Sequence, residues 1–150
     1  MTKVVSLTWF SRLLGNNRIL LVEDNKINVE ISSKILTELN IVTDVAYNGT
    51  EAIKKIEDLG RDYYDLILMD IHMPKYNGYE ISKIMRNDLG VEVPIIALTA
   101  TNITDQTIEE NKENISGYIQ KPIKPNEFKQ TIQSYLQKES DLCYKFSFID

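Results

Sequence analysis

Short apolar runs, each stopping at a polar or charged residue, constrain this chain more than any other feature. Ile19-Leu20-Leu21-Val22 stops at Glu23-Asp24-Asn25. Leu66-Ile67-Leu68-Met69 stops at Asp70, with Pro74 shortly after, and Pro94 opens Ile95-Ile96-Ala97-Leu98, which stops at Thr99. Tyr118-Ile119-Gln120 runs into Lys121-Pro122. Runs this short and this continuously apolar are the pattern of strands covered on both faces, as in a parallel sheet.

Between the runs the period changes. Ile27, Ile31, Ile35 and Leu39 recur at four-residue spacing, with Leu36 widening the stripe, which predicts a helix with that face buried. Ile41 to Ala46 alternates loosely as a further strand, and Asn48-Gly49 turns into a helix carrying Ala52, Ile53, Ile56 and Leu59. Asn77-Gly78 marks a turn before a helix with Ile81, Ile84 and Met85. The segment 103–114 is expected to be helical but offers only Ile103, Ile108 and Ile115 as anchors. A last helix from about Asn126 is expected to bury Phe128, Ile132, Tyr135 and Leu136. Strands alternating with helices in this way predict an α/β doubly wound sheet.

The length, 150 residues, suits one domain with a core of its own. A net charge of −5 argues against binding nucleic acid through a broad basic face. The single cysteine, Cys143, cannot close an intramolecular disulfide, which fits a reducing cytoplasm. No run approaches the roughly 20 apolar residues of a membrane span, so no membrane contact is expected. Met1–Gly15 is broken by Ser6, Thr8, Ser11 and Arg12 and has no small-residue cleavage site. Residues 1–16 therefore read as an N-terminal extension or linker remnant, 17–138 as the domain, and 139–150 as a tail rich in apolar and aromatic residues.

In an open parallel sheet, ligands bind beyond the carboxyl ends of the strands, where strand order reverses. This chain delivers Glu23 and Asp24 there from its first strand, Asp70 from the third, Thr99 from the fourth and Lys121 from the fifth. Two carboxylates about 4 Å apart repel by roughly 4 kcal/mol at an effective dielectric of ~20. Three of them would either raise a pKa or recruit a cation, and an all-oxygen donor set favours a hard ion such as Mg²⁺. The Thr99 hydroxyl and Lys121 ammonium would then hold a phosphoryl group on or beside Asp70. A carboxylate is a competent nucleophile toward phosphorus, giving an acyl phosphate.

These residues, read in order, resemble the receiver domain of two-component response regulators, and most closely the receivers of hybrid sensor histidine kinases. The segments that carry the resemblance are Leu21-Val22-Glu23-Asp24-Asn25 with Asn28, Leu68-Met69-Asp70-Ile71-His72-Met73-Pro74, Leu98-Thr99-Ala100 and Tyr118-Ile119-Gln120-Lys121-Pro122. The resemblance implies a flavodoxin-like (βα)5 fold with a five-stranded parallel sheet in the order 2-1-3-4-5. It implies that Asp70 accepts a phosphoryl group from the phosphohistidine of a histidine kinase or histidine phosphotransfer protein. Asp24, Asp70 and the backbone carbonyl of His72 would ligate Mg²⁺ (or Mn²⁺), with Glu23 acting largely through water. Lys121 would pair with phosphoryl oxygens, Thr99 and Tyr118 would form the switch, and the Lys121–Pro122 bond would be cis. Such a domain catalyses its own phosphorylation and dephosphorylation without being a conventional enzyme.

Two departures stand out: Asn77 precedes Gly78 where an Asp is usual, and His72 lies two places after the phosphoacceptor, where a side chain can influence attacking water. The sparsely anchored 103–114 segment is the expected moving part, and the 103–138 face the expected contact for a downstream target or a homodimer. Other classes fit less well. A binding module that no longer takes phosphate should lack Asp70, Asp24 or Lys121. A haloacid-dehalogenase-type enzyme should carry a second Asp at the place of His72, and a flavin-binding protein should have a hydroxyl-rich loop where this chain has acids. Too few residues follow Lys138 for a DNA-binding output domain, so the chain either acts alone through protein contacts or is a piece of a larger protein.

Overall fold

The structure, a computed structural model, describes the backbone of residues 16–147 and side chains as far as Leu136. The leader expected over Met1–Gly15 and the side chains of the apolar tail, Cys143 included, lie outside the described residues. The elements in chain order are β1 (Arg18–Val22), α1 (Lys26–Glu38), β2 (Val42–Ala46), α2 (Gly49–Leu59), β3 (Leu66–Asp70), α3 (Gly78–Asn87), β4 (Ile95–Thr99), α4 (Asp105–Asn111), β5 (Gly117–Gln120) and α5 (Pro125–Ser147). The strands form one parallel sheet in the order β2-β1-β3-β4-β5, as the flavodoxin-like reading expected.

The pleat divides the core. Leu20, Val22, Ile67, Met69, Ile95 and Ala97 point to the side that carries Ala52, Ile56, Ile81 and Met85 of α2 and α3. Their neighbours Ile19, Leu21, Leu66, Leu68, Ile96 and Leu98 meet Val29, Ile35 and Leu36 of α1 and Phe128, Ile132 and Leu136 of α5. Helices α1 to α4 each start on a polar cap. The side chains of Asn25, Asn48, Asn77 and Thr104 accept from the main-chain N–H of Asn28, Glu51, Glu80 and Thr107.

The buried face of α1 differs from the expected stripe. Ile27 and Ile31 are 68% and 44% exposed, while Val29, Ser32, Ile35 and Leu36 are buried. Four-residue steps advance about 400° around a helix, so a ladder with that spacing drifts about 40° per step. Ile27 and Ile31 have therefore left the face that Ile35 and Leu36 occupy. In α2, Leu59 is exposed rather than an anchor.

The helix expected over 103–114 is shorter, Asp105–Asn111, and buries no residue, with Ile108 exposed and Ile115 buried beyond its end. In contrast, α5 continues to Ser147, through most of the segment read as a tail. No helix among the described residues is long and apolar enough to cross a membrane.

Candidate functional site

Register places the site. Val22 pairs with Met69, so Glu23 emerges beside Asp70. Asp70 pairs with Leu98 and Thr99 with Gln120, so Thr99 and Lys121 leave the sheet one step further along. Gly78 brings α3 back against this edge. Its N–H donates to the Ile71 carbonyl at 3.0 Å, and a Cβ there would collide with the carbonyl oxygen of Asp70. The Asn77-Gly78 turn is thus also a close approach that fixes the strand end bearing Asp70.

Glu23, Asp24, Asp70 and Lys121 converge on one crevice of about 260 Å³, walled also by Asn25, Asn28, His72 and Ala100. One carboxylate oxygen from each of Glu23, Asp24 and Asp70 lies within 4.8 Å of the others. Glu23 and Asp70 are buried, at 1% and 2% exposure, whereas Asp24 is exposed. Lys121 donates to Glu23 Oε2 at 2.8 Å and reaches Asp70 Oδ1 at 3.2 Å. The main-chain N–H of His72 donates to Asp70 Oδ1 at 3.2 Å, and that of Asn25 to Glu23 Oε1 at 3.3 Å.

The charges in this space oppose one another. Burial first, and then the negative charge of Glu23, push the Asp70 carboxyl up to about 7, although Lys121 pulls the other way. Burial is the largest influence on Lys121 and lowers its pKa, but hydrogen bonding and charge from Glu23 and Asp70 outweigh it and leave the ammonium raised. One cation facing three carboxylates leaves negative charge uncompensated. The donor set is entirely oxygen, and the crevice has room for an ion with its water. The residues therefore fit a small hard cation such as Mg²⁺.

Thr99 and Tyr118 are placed at this edge but do not join the cluster. The buried Thr99 hydroxyl lies 2.9 Å from Thr101 Oγ1 and 3.5 Å from His72 Nε2, and it accepts from the Thr101 N–H at 3.2 Å. Tyr118 is half-buried and donates at 3.4 Å to the carbonyl of Thr107 on α4. Burial first, then Tyr79, pushes its phenol up to about 12. The Lys121–Pro122 bond is cis.

Asn25, Asn28, Ala100 and Thr101 were not singled out from the sequence as parts of the site. Asn28 had a readable signal, lying three residues beyond the cap of the helix that leaves the crevice. Ala100 lay within the Leu98-Thr99-Ala100 segment of the resemblance, and Thr101 had no signal beyond nearness to Thr99.

Comparison with known proteins gives this geometry its family. Over 129 residues, the chain is 36% identical to hybrid signal transduction histidine kinase L of Dictyostelium discoideum, covering 83% of this chain but 7% of that protein. It is 33% identical to the polar-differentiation response regulator DivK of Brucella ovis, covering 79% of this chain and 94% of DivK. Among solved structures, the receiver domain of a sensor histidine kinase from Pseudomonas aeruginosa, crystallised with a magnesium ion in its active-site cleft, is similar. It has 33% identity and a TM-score of 0.68, and the match covers 81% of this chain and 98% of that one. The chain spans only a small part of the length of the curated histidine kinases it matches. The family description of the response regulator receiver domain matches residues 19–133, and this chain belongs to that family.

Proposed function

We propose that this domain accepts a phosphoryl group on Asp70 in a two-component or phosphorelay pathway. The observation that carries this reading is a buried Asp70 carboxylate, 3.2 Å from Lys121, at the floor of a crevice lined by two further carboxylates. Asp24, Asp70 and the main-chain carbonyl of His72 would hold Mg²⁺ (or Mn²⁺), with Glu23 acting largely through water. When bound, the ion supplies charge neutralisation for Asp70 and for the phosphoryl oxygens.

The chain's own residues do the rest. An Asp70 oxygen attacks phosphorus, the P–N bond of a phosphohistidine breaks, and its electron pair leaves with the imidazole. Lys121 neutralises charge on the transferred group, and burial of Asp70 limits water around the acyl phosphate. Thr99 would then turn toward the phosphoryl group and Tyr118 would turn inward behind it, carrying the change to the 103–138 face.

The donor would be a histidine kinase or a histidine phosphotransfer protein. The reader would be a downstream protein or a second copy meeting the 103–138 face. The functional unit would be residues 17–138, working in the cytoplasm without nucleic-acid or membrane contact, on its own or within a hybrid histidine kinase. Incubation with acetyl phosphate and Mg²⁺, read by intact mass, tests the core of this reading. Wild type should gain one phosphoryl group and Asp70→Asn none. A folded, Mg²⁺-binding wild type that gains nothing would point instead to a phosphorylation-independent binding module.

A further inference from the structure

The Thr99 hydroxyl can donate one hydrogen bond and accept two. Its capacity is filled without the crevice. The Thr101 N–H donates to it at 3.2 Å, Thr101 Oγ1 lies at 2.9 Å and His72 Nε2 at 3.5 Å. Among the described residues no hydrogen bond joins it to Asp70 or Lys121, and Ala100 rather than Thr99 walls the crevice. Of the three contacts, the hydroxyl–hydroxyl one is the shortest, and the one to His72 is at the limit of a hydrogen bond. A buried hydroxyl that moves must break such a contact before it gains another.

We propose that Thr101 is a positioning residue for the switch: its hydroxyl holds Thr99 in the resting arrangement and so sets how readily the loop responds to a phosphoryl group. This rests on reading Asp70 as the phosphoacceptor. Thr101 itself is exposed, does not wall the crevice, and directs its hydrogen bonds at Thr99, so it acts through Thr99. Removing the Thr101 hydroxyl withdraws a partner from the resting arrangement only, and the equilibrium shifts toward the arrangement in which Thr99 faces the crevice.

Thr101→Val keeps the side chain's shape and removes the hydroxyl, while Thr101→Ser keeps the hydroxyl and removes a methyl. Calorimetric titration with beryllofluoride and Mg²⁺, a phosphoryl mimic, should show Thr101→Val binding about two- to tenfold more tightly than wild type, the effect of one net hydrogen bond. Thr101→Ser should behave as wild type. In the protein without mimic, the Thr99 methyl resonance of Thr101→Val should already lie part-way to its mimic-bound position. Unchanged or weaker binding by Thr101→Val, or a Thr101→Ser that matches Thr101→Val, overturns the proposal while leaving Asp70 as acceptor. A wild type that binds Mg²⁺ but takes up no beryllofluoride removes the phosphoacceptor reading, and this proposal with it.

Discussion

Asp70 is held where burial and the charge of Glu23 both oppose its ionisation, so the folded chain binds a proton there more tightly than the unfolded chain does. Its carboxyl moves from 3.8 to about 7 on folding, which means the native state keeps a proton across that window that the unfolded state has lost. By linkage, stability from this group is present at low pH and declines as pH rises through the window. In chelator, Asp70→Asn should therefore stabilise the protein by about 2–4 kcal/mol at pH 8. The gain should shrink toward pH 5, as read by urea denaturation at both pH values. Equal gains at the two values would place the strain elsewhere.

Gly78 is the backbone counterpart of this charge. A methyl at that position meets the Asp70 carbonyl, which belongs to a buried central strand, and lies 3.0 Å from the Ile71 Cα, so neither neighbour can give way cheaply. Gly78→Ala should cost about 2–4 kcal/mol in the same assay and slow phosphorylation from acetyl phosphate by moving Asp70. The sequence showed Gly78 only as a turn residue, because a close approach across two elements leaves no local pattern.

At the scale of elements, the segments around α3 and α4 are anchored unequally. The loop after α3 is stapled by Arg86. Its guanidinium donates to the carbonyls of Val91 at 2.9 Å, Val93 at 2.7 Å and Asn114 at 3.1 Å, and reaches Ser116 Oγ at 3.3 Å. Arg86→Ala leaves those carbonyls without their donor and should lower stability by about 2–4 kcal/mol. Arg86→Lys should recover only part of that loss, since an ammonium cannot reproduce the planar fork.

Helix α4, just before the Asn114 and Ser116 contacts of Arg86, has seven residues, buries none of them, and is tied to the sheet by the Tyr118 hydroxyl. Its amides should exchange faster than those of β4, and beryllofluoride should change protection over 99–120 more than over α2. Identical protection of 99–120 with and without mimic would count against a switch on that face. The sparse anchors Ile103, Ile108 and Ile115 made α4's weakness legible, but its length was overestimated. Only burial reveals that Ile108 faces water and that Ile115 belongs to the sheet side.

For the molecule as a whole, the parallel α/β sheet and the acidic crevice were readable because both follow from one-dimensional patterns, whereas the strand order was implied by the family resemblance. Buried parallel strands are continuously apolar, so the residue that ends each run marks the same edge. Helix faces were less readable. In α1, Ile27 and Ile31 look like core by spacing, yet the sheet takes Val29 and Ser32 instead, a choice made by how the helix is rotated once Asn25 has capped it. Side-chain direction at the switch was out of reach for the same reason, since Thr99 is fixed by contacts with Thr101 and His72 that no periodicity encodes.

The core also bears on where the cooperative unit ends. Among the described residues, Phe128, Ile132 and Leu136 are those that α5 buries against α1 and the sheet, and Lys129 ties α5 to Glu38 of α1 at 2.8 Å. An exposed pair of this kind contributes little, so the docking of the described part of α5 depends on those three apolar side chains. A chain cut to residues 17–138 retains all three. It should melt within about 3 °C of the full chain and gain one phosphoryl group on Asp70 from acetyl phosphate at the same rate. Cutting before Ile132 should instead remove two of the three anchors and abolish cooperative melting. A 17–138 chain that loses its transition would show that the last part of α5 belongs to the folding unit.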